Sequence, residues 1–86
     1  MLKISRKVEY ALIALRHLQG LDEKELASAK ELANAYGVPK ELLAKVLQRL
    51  AKKNIVDAVK GPHGGYRLAI DPKSMKLTEF FEVIEG

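Results

Sequence analysis

The chain contains no cysteine at any of its 86 positions. Without thiols, these residues cannot form a disulfide, a zinc-finger thiolate set or a cysteine-ligated iron–sulfur cluster. It also lacks any apolar run near the ~18 residues that a membrane span needs. The opening Met1-Leu2-Lys3-Ile4-Ser5-Arg6-Lys7 has neither the apolar stretch nor the cleavage site of a signal peptide. These absences predict a cytoplasmic protein that does not enter a membrane. No nucleophile–base pair, carboxylate pair or cofactor motif has a useful spacing, which argues against an enzyme. Neither His17 nor His63 has a second histidine or carboxylate spaced to complete a metal site.

What is present fits a single small domain, residues 1–86, with room for one core and none for a cleft between two lobes. Hydrophobic residues at 48% and charged residues at 30% exclude a disordered chain. The net charge of +4 is unevenly spread. Residues 37–67 hold seven basic side chains (Lys40, Lys45, Arg49, Lys52, Lys53, Lys60, Arg67) against Glu41 and Asp57, while residues 68–86 are net acidic. A local basic surface of this kind attracts a polyanion and speeds encounter with it.

Ser5 is placed to cap a first helix over about Arg6–Gln19 that Gly20 ends. Val8, Ala11, Leu12, Leu15 and Leu18 recur along it at helical spacing and predict a core-facing stripe. His17 lies near its C-terminal end, where the helix dipole favours a cation. An acidic connector, Leu21–Ala27, has weak helix tendency. Ser28-Ala29-Lys30-Glu31 fits a capping box, with the hydroxyl accepting from the Glu31 amide and the Glu31 carboxylate reaching back to the Ser28 amide. The second helix then runs about Ala29–Tyr36, with Leu32 and Ala33 inward. Gly37 suits a left-handed helix stop, Val38 an apolar plug, and Pro39 the first turn of the next helix. Helix, three-residue break, helix is the helix-turn-helix plan.

The third helix, about Pro39–Lys53, divides cleanly. At roughly 100° per residue, Leu42, Leu43, Val46, Leu47 and Leu50 share one arc. Lys40, Glu41, Ala44, Lys45, Gln48, Arg49 and Lys52 take the other. Lysine and arginine suit phosphates or guanine edges, glutamine suits adenine, and an alanine methyl can lie against thymine or allow close approach. A generic amphipathic helix facing water would look the same in isolation. Its position after the turn and before a hairpin favours the nucleic-acid reading.

Asn54 is suited to end this helix in a left-handed conformation. Ile55–Lys60 and Tyr66–Ile70 predict an antiparallel pair. The loop between them, Gly61-Pro62-His63-Gly64-Gly65, has three glycines and a proline, so its backbone can approach a surface closely. Its place inside a hairpin fits neither nucleotide-phosphate fingerprint. His63 at the tip is either a solvated side chain or a phosphate or minor-groove contact. Asp71–Ser74 reads as a turn, and Leu77–Ile84 as a helix capped by Thr78. Phe80 and Phe81 are adjacent and point in different directions, so one belongs to the core and the other is open to a partner. The fold class is therefore mainly α with a small β-hairpin, a winged helix-turn-helix: a three-helix core, a two-stranded wing and a short C-terminal helix.

These segments resemble the Rrf2 family of bacterial winged-helix transcription regulators. The matching stretches are Ile4-Ser5-Arg6-Lys7-Val8-Glu9-Tyr10-Ala11-Leu12, Ser28 to Ala33, Val38 to Leu43, Leu47 to Leu50 and, most specifically, Lys60-Gly61-Pro62-His63-Gly64-Gly65-Tyr66-Arg67-Leu68-Ala69. The resemblance spans Met1–Gly86 but only the N-terminal part of a typical member. It implies a homodimer on a near-palindromic operator of double-stranded DNA, with the third helix in the major groove and the wing in the neighbouring minor groove. By position, it implies base reading by Lys40, Glu41, Ala44 and Lys45, with Gln48 and Arg49 further along the groove. Ser5, Lys7, Tyr10, Ser28 and Lys30 are the implied phosphate contacts, with the helix amides near Ala29 adding a favourable dipole. Gly61, His63, Gly64, Tyr66 and Arg67 are the implied wing contacts, Tyr66 doubling as a packed anchor of the hairpin.

The chain departs from the resemblance in two respects. Many members carry three cluster-binding cysteines beyond the wing, and none is present here, so no iron–sulfur cofactor is expected. Members also continue into a long dimerisation helix beyond the point where this sequence stops. The function expected is a DNA-binding regulator of repressor type. The alternative, a winged helix serving protein–protein contact, fits the basic helix face less well, because interface cores are depleted of charge.

Overall fold

Ser5 decides where the first helix begins. Its backbone is extended (ψ 162°) and its hydroxyl accepts the Val8 amide at 3.3 Å. The computed structural model describes residues 5–85. Along them lie α1 (Arg6–Gln19), α2 (Ala29–Tyr36), α3 (Lys40–Lys52), β1 (Val56–Val59), β2 (Gly65–Leu68), a short 3-10 turn (Pro72–Ser74) and α4 (Leu77–Glu85). This is the winged helix-turn-helix arrangement. α3 sits at its centre, packed on α1, α2, β1 and α4.

The core is built from one face of each element. Leu43, Val46, Leu47 and Leu50 of α3 are buried against Val8, Ala11, Ala14, Leu15 and Leu18 of α1, Leu32 and Ala33 of α2, and Phe80 and Ile84 of α4. Full burial of a leucine is worth about 1.5–3 kcal/mol, so α3 is held by its apolar face and leaves the other free. The stripe on α1 differs from the sequence expectation at one position. Leu12 is 38% exposed, while Tyr10 and Ala14 are buried. With Val8 at zero, Leu15, Ala11, Leu18, Ala14 and Tyr10 fall in one arc of about 160°, and Leu12 lies about 40° beyond its opposite edge. The buried face is rotated toward Tyr10, and Leu12 borders an apolar groove of about 380 Å³ with Leu68, Ile70, Met75 and Phe80.

The turn between α2 and α3 forms as expected. Gly37 adopts φ 64°, and its amide and that of Val38 both reach the Ala33 carbonyl. Val38 packs on the core. Pro39 stands one position outside α3 as its N-cap, with ψ 124°, and its carbonyl accepts the Leu43 amide. Asn54 takes φ 63° just past α3 and sends the chain into the hairpin.

The strands are shorter than the β-prone runs. β1 and β2 pair antiparallel with Val56 opposite Leu68, Asp57 opposite Arg67, Ala58 opposite Tyr66 and Val59 opposite Gly65. One further bond, from the Ala69 amide to the Ile55 carbonyl, closes the base. The connector shows no helix among residues 21–27. A turn forms instead, in which the Glu25 amide bonds the Asp22 carbonyl and the Glu25 carboxylate takes the Asp22 amide. Thr78 is not a cap, because α4 already begins at Leu77 and the Phe80 amide bonds the Lys76 carbonyl. Phe80 is buried in the core, as expected for one of the pair, whereas Phe81 is half-buried and packs against the core instead of standing open to a partner. No helix among the described residues is long and apolar enough to cross a membrane.

Candidate nucleic-acid interface

The outer face of α3 carries Lys40, Glu41, Lys45, Gln48, Arg49 and Lys52, all exposed, with Ala44 half-buried between them. Leucines hold this helix from behind, so its backbone is anchored while its polar face stays accessible. Ala44 has only a methyl group between these longer side chains, which leaves room for a base edge to approach.

Lys45 and Arg49 do not stand alone. Together with Lys7 of α1 they line a cleft of about 190 Å³ whose apolar floor is Leu42, Val46 and Ile84. Three cations from two helices thus converge, although 38 residues separate Lys7 from Lys45 in the chain. Arg49 is also engaged internally: its Nε donates to the Val83 carbonyl in the last turn of α4. The helical wheel explains this. Arg49 lies about 20° from Leu42, at the boundary between the two faces, and so leans toward α4. Arg49 thus bridges α3 to α4, where the sequence predicts a side chain free to lie along a groove.

Ser5 is exposed at the start of α1. Besides capping that helix, its hydroxyl donates to the Glu85 carboxylate. Tyr10 departs from the phosphate-contact expectation: it is 6% exposed and belongs to the core. Its burial follows from the rotated face of α1.

At the start of α2, Ser28 accepts the Glu31 amide at 3.1 Å, but the capping box is only half made. The Glu31 carboxylate takes the Ser28 hydroxyl at 3.2 Å rather than the Ser28 amide. A negative charge therefore sits beside the helix amides where a phosphate is expected, which weakens that part of the site. Lys30 is exposed in the same turn.

The wing is anchored by a contact with no sequence signal. Ala27 and Tyr66 exchange both backbone bonds, Ala27 N–H to Tyr66 O at 3.0 Å and Tyr66 N–H to Ala27 O at 2.8 Å. The residue immediately before the α2 cap is thus fastened to β2. Gly65 makes this possible, since a Cβ there would lie 2.8 Å from the Ala27 carbonyl oxygen. Gly64 is required in the same way by its own hairpin, because its Cβ would fall 2.1 Å from the Val59 carbonyl oxygen. At these two positions the absence of a side chain is explained by internal contacts. Tyr66 is half-buried against the core, in keeping with the anchor role. Gly61 and His63 remain exposed at the loop tip. Arg67 faces its cross-strand partner Asp57 at 3.6 Å, and both side chains are about half exposed. Such a surface pair is worth little, so Arg67 can exchange it for a phosphate at small cost.

A family model described as "Rrf2: Iron-dependent Transcriptional regulator" matches residues 4–86. The chain belongs to the Rrf2 family. It is 39% identical over 79 residues to a candidate HTH-type transcriptional regulator of Aquifex aeolicus, covering 92% of this chain and 54% of that protein. It is 34% identical to the HTH-type transcriptional regulator IscR of Cereibacter sphaeroides, covering 98% of this chain and 56% of that one. The solved structure of CymR, the global cysteine regulator of B. subtilis, superposes with a TM-score of 0.88 at 28% identity over 100% of this chain and 67% of CymR. The chain spans about half the length of the curated relatives it matches. These relatives are named as transcriptional regulators, not as enzymes.

The Rrf2 description mentions iron, but the residues present do not fit an iron site. The sequence has no cysteine, and no three His, Asp or Glu side chains among the described residues are grouped to hold a metal ion.

Proposed function

We propose that this Rrf2 chain is the DNA-binding part of a cytoplasmic, sequence-specific transcriptional regulator of repressor type. In this reading α3 lies in the major groove, the Gly61–Gly64 loop reaches the adjacent minor groove, and two copies bind a near-palindromic operator. The observation that carries it is the polar face of α3, left open and basic while its apolar face is buried, with the wing fastened beside it through Ala27 and Tyr66. Glu41, Ala44, Lys45 and Gln48 are assigned to base edges. Lys7, Lys30, Arg49 and Arg67 are assigned to phosphates, and Gly61 and His63 to the minor groove. No metal or cluster takes part through these residues.

Selection of bound sequences from random duplex DNA tests the reading directly. It should return two half-sites with centres about one or more helical turns apart. Lys45→Ala should weaken binding, and Lys7→Ala should lower the slope of log affinity against log salt by about one. A sequence pool no richer than the input, or affinity indifferent to salt, would refute it.

A further inference from the structure

The last turn of α4 engages Arg49, assigned above to a phosphate, and Ser5, whose hydroxyl the family resemblance implies as a phosphate contact. Its Val83 carbonyl accepts from Arg49 and its Glu85 carboxylate accepts from Ser5. Ile84, between them, is buried and forms part of the floor of the cleft that Lys7, Lys45 and Arg49 surround. Glu85 adds a full negative charge to this turn. The turn therefore offers the basic cleft what a DNA backbone would offer it: oxygen acceptors and negative charge.

We propose that the C-terminal turn of α4 is an intramolecular competitor for phosphate, with Glu85 lowering the affinity of the Lys7–Lys45–Arg49 cleft for DNA. This rests on the DNA-binding reading above and adds its regulation. The cleft is open to water, so Glu85 acts mainly through its charge, from a position beside Ser5 at the start of the helix that carries Lys7. Occupation of the Ser5 hydroxyl adds to this, because that donor must leave Glu85 before it can meet a phosphate. Arg49 behaves differently. A guanidinium has five N–H donors and Val83 takes one, so Arg49 stays oriented by α4 while its remaining donors are available. Whatever displaces the last turn of α4 would consequently alter affinity at the α3 face without touching α3 itself, and by linkage DNA binding would loosen that turn.

The test is fluorescence anisotropy with a labelled duplex of random sequence at low and at high salt, comparing the unaltered chain with Glu85→Gln and Glu23→Gln. The first substitution keeps shape and hydrogen-bonding capacity while removing the charge. The second makes the same change in net charge beyond the far end of α1, about 21 Å along that helix from Ser5. Glu85→Gln should tighten binding about three- to ten-fold at low salt, and the gain should shrink as salt screens it. Glu23→Gln should shift affinity by less than about two-fold. Superimposable thermal melts establish that Glu85→Gln remains folded. If the unaltered chain binds duplex but Glu85→Gln binds no more tightly than Glu23→Gln, this proposal falls and the DNA-binding reading stands. If the unaltered chain shows no salt-sensitive binding, both fall.

Discussion

Gly65→Ala strikes directly at the bridge that fastens the wing to Ala27. The new methyl would lie 2.8 Å from the Ala27 carbonyl oxygen and 2.9 Å from its carbon, both backbone atoms that cannot swing aside. Relief requires β2 to move away from Ala27, which breaks the two bonds between Ala27 and Tyr66. Two net backbone bonds are worth about 1–3 kcal/mol. Gly65 also carries φ 157°, at the edge of the range that favours glycine, which adds about 1 kcal/mol. The sum is about 2–4 kcal/mol, a large part of the ~5–15 kcal/mol that keeps a domain folded. For this chain length it corresponds to a fall in Tm on the order of 10–25 °C. Gly61→Ala is the matched control: φ there is 119°, so the backbone is at least as unfavourable, but nothing lies within 4 Å of the added methyl. Thermal unfolding followed by circular dichroism, with amide exchange at Ala27 and Tyr66, separates the two. Gly65→Ala should melt well below Gly61→Ala and lose protection at both amides. Equal melting temperatures with protected amides would show that the Ala27–Tyr66 bridge is not what fixes the wing.

Two further substitutions probe the elements that carry the site. Leu47→Ala removes a fully buried side chain from the centre of α3 and should cost about 2–5 kcal/mol in urea unfolding; a loss under ~1 kcal/mol would mean that the core does not hold α3 from behind. Ser28→Ala deletes the α2 cap and should cost about 1 kcal/mol, with Ser28→Thr recovering most of it; equal loss in both variants would place the effect elsewhere.

Most of the fold was legible in the sequence because its boundaries are set by local chemistry. Ser5 and Ser28 cap their own helices, Gly37 and Asn54 supply the left-handed stops, and α1 and α2 begin and end where those signals put them. The misplaced details share a physical cause: they depend on which neighbour a group meets. Tyr10 and Leu12 exchange roles because the buried arc of α1 is rotated by its contacts with α3 and α4, and helical spacing alone cannot set that rotation. The half-made box at Ser28 depends on which of two nearby donors the Glu31 carboxylate takes. Gly64 and Gly65 were legible as glycines at a turn, but the carbonyls that forbid a Cβ there belong to Val59 and Ala27, one across the hairpin and one 38 residues away. The polar face of α3 was legible as a surface. The closing of α4 upon Arg49 and Ser5 was not, because nothing in Thr78–Glu85 marks where that helix ends in space.

The distance between the two proposed reading elements is set by very few residues. β1 begins at Val56, only four positions after Lys52 ends α3, and Asn54 at φ 63° fixes the angle between them. From the far side, β2 is pinned to Ala27, which directly precedes the Ser28 cap, and α2 leads through Gly37 back into α3. The polypeptide thus closes a ring, α3 to hairpin to Ala27 to α2 to α3. A hinged wing would have to be immobilised on binding, at about 0.5–1.5 kcal/mol for each ordered side chain and more for the loop backbone. In a closed ring, the Ala27–Tyr66 bridge makes part of that ordering in the free protein. In the proposed DNA-binding mode the wing position would follow from that of α3, so recognition at the loop tip would depend on the bridge at Ala27 as much as on Gly61 and His63 themselves.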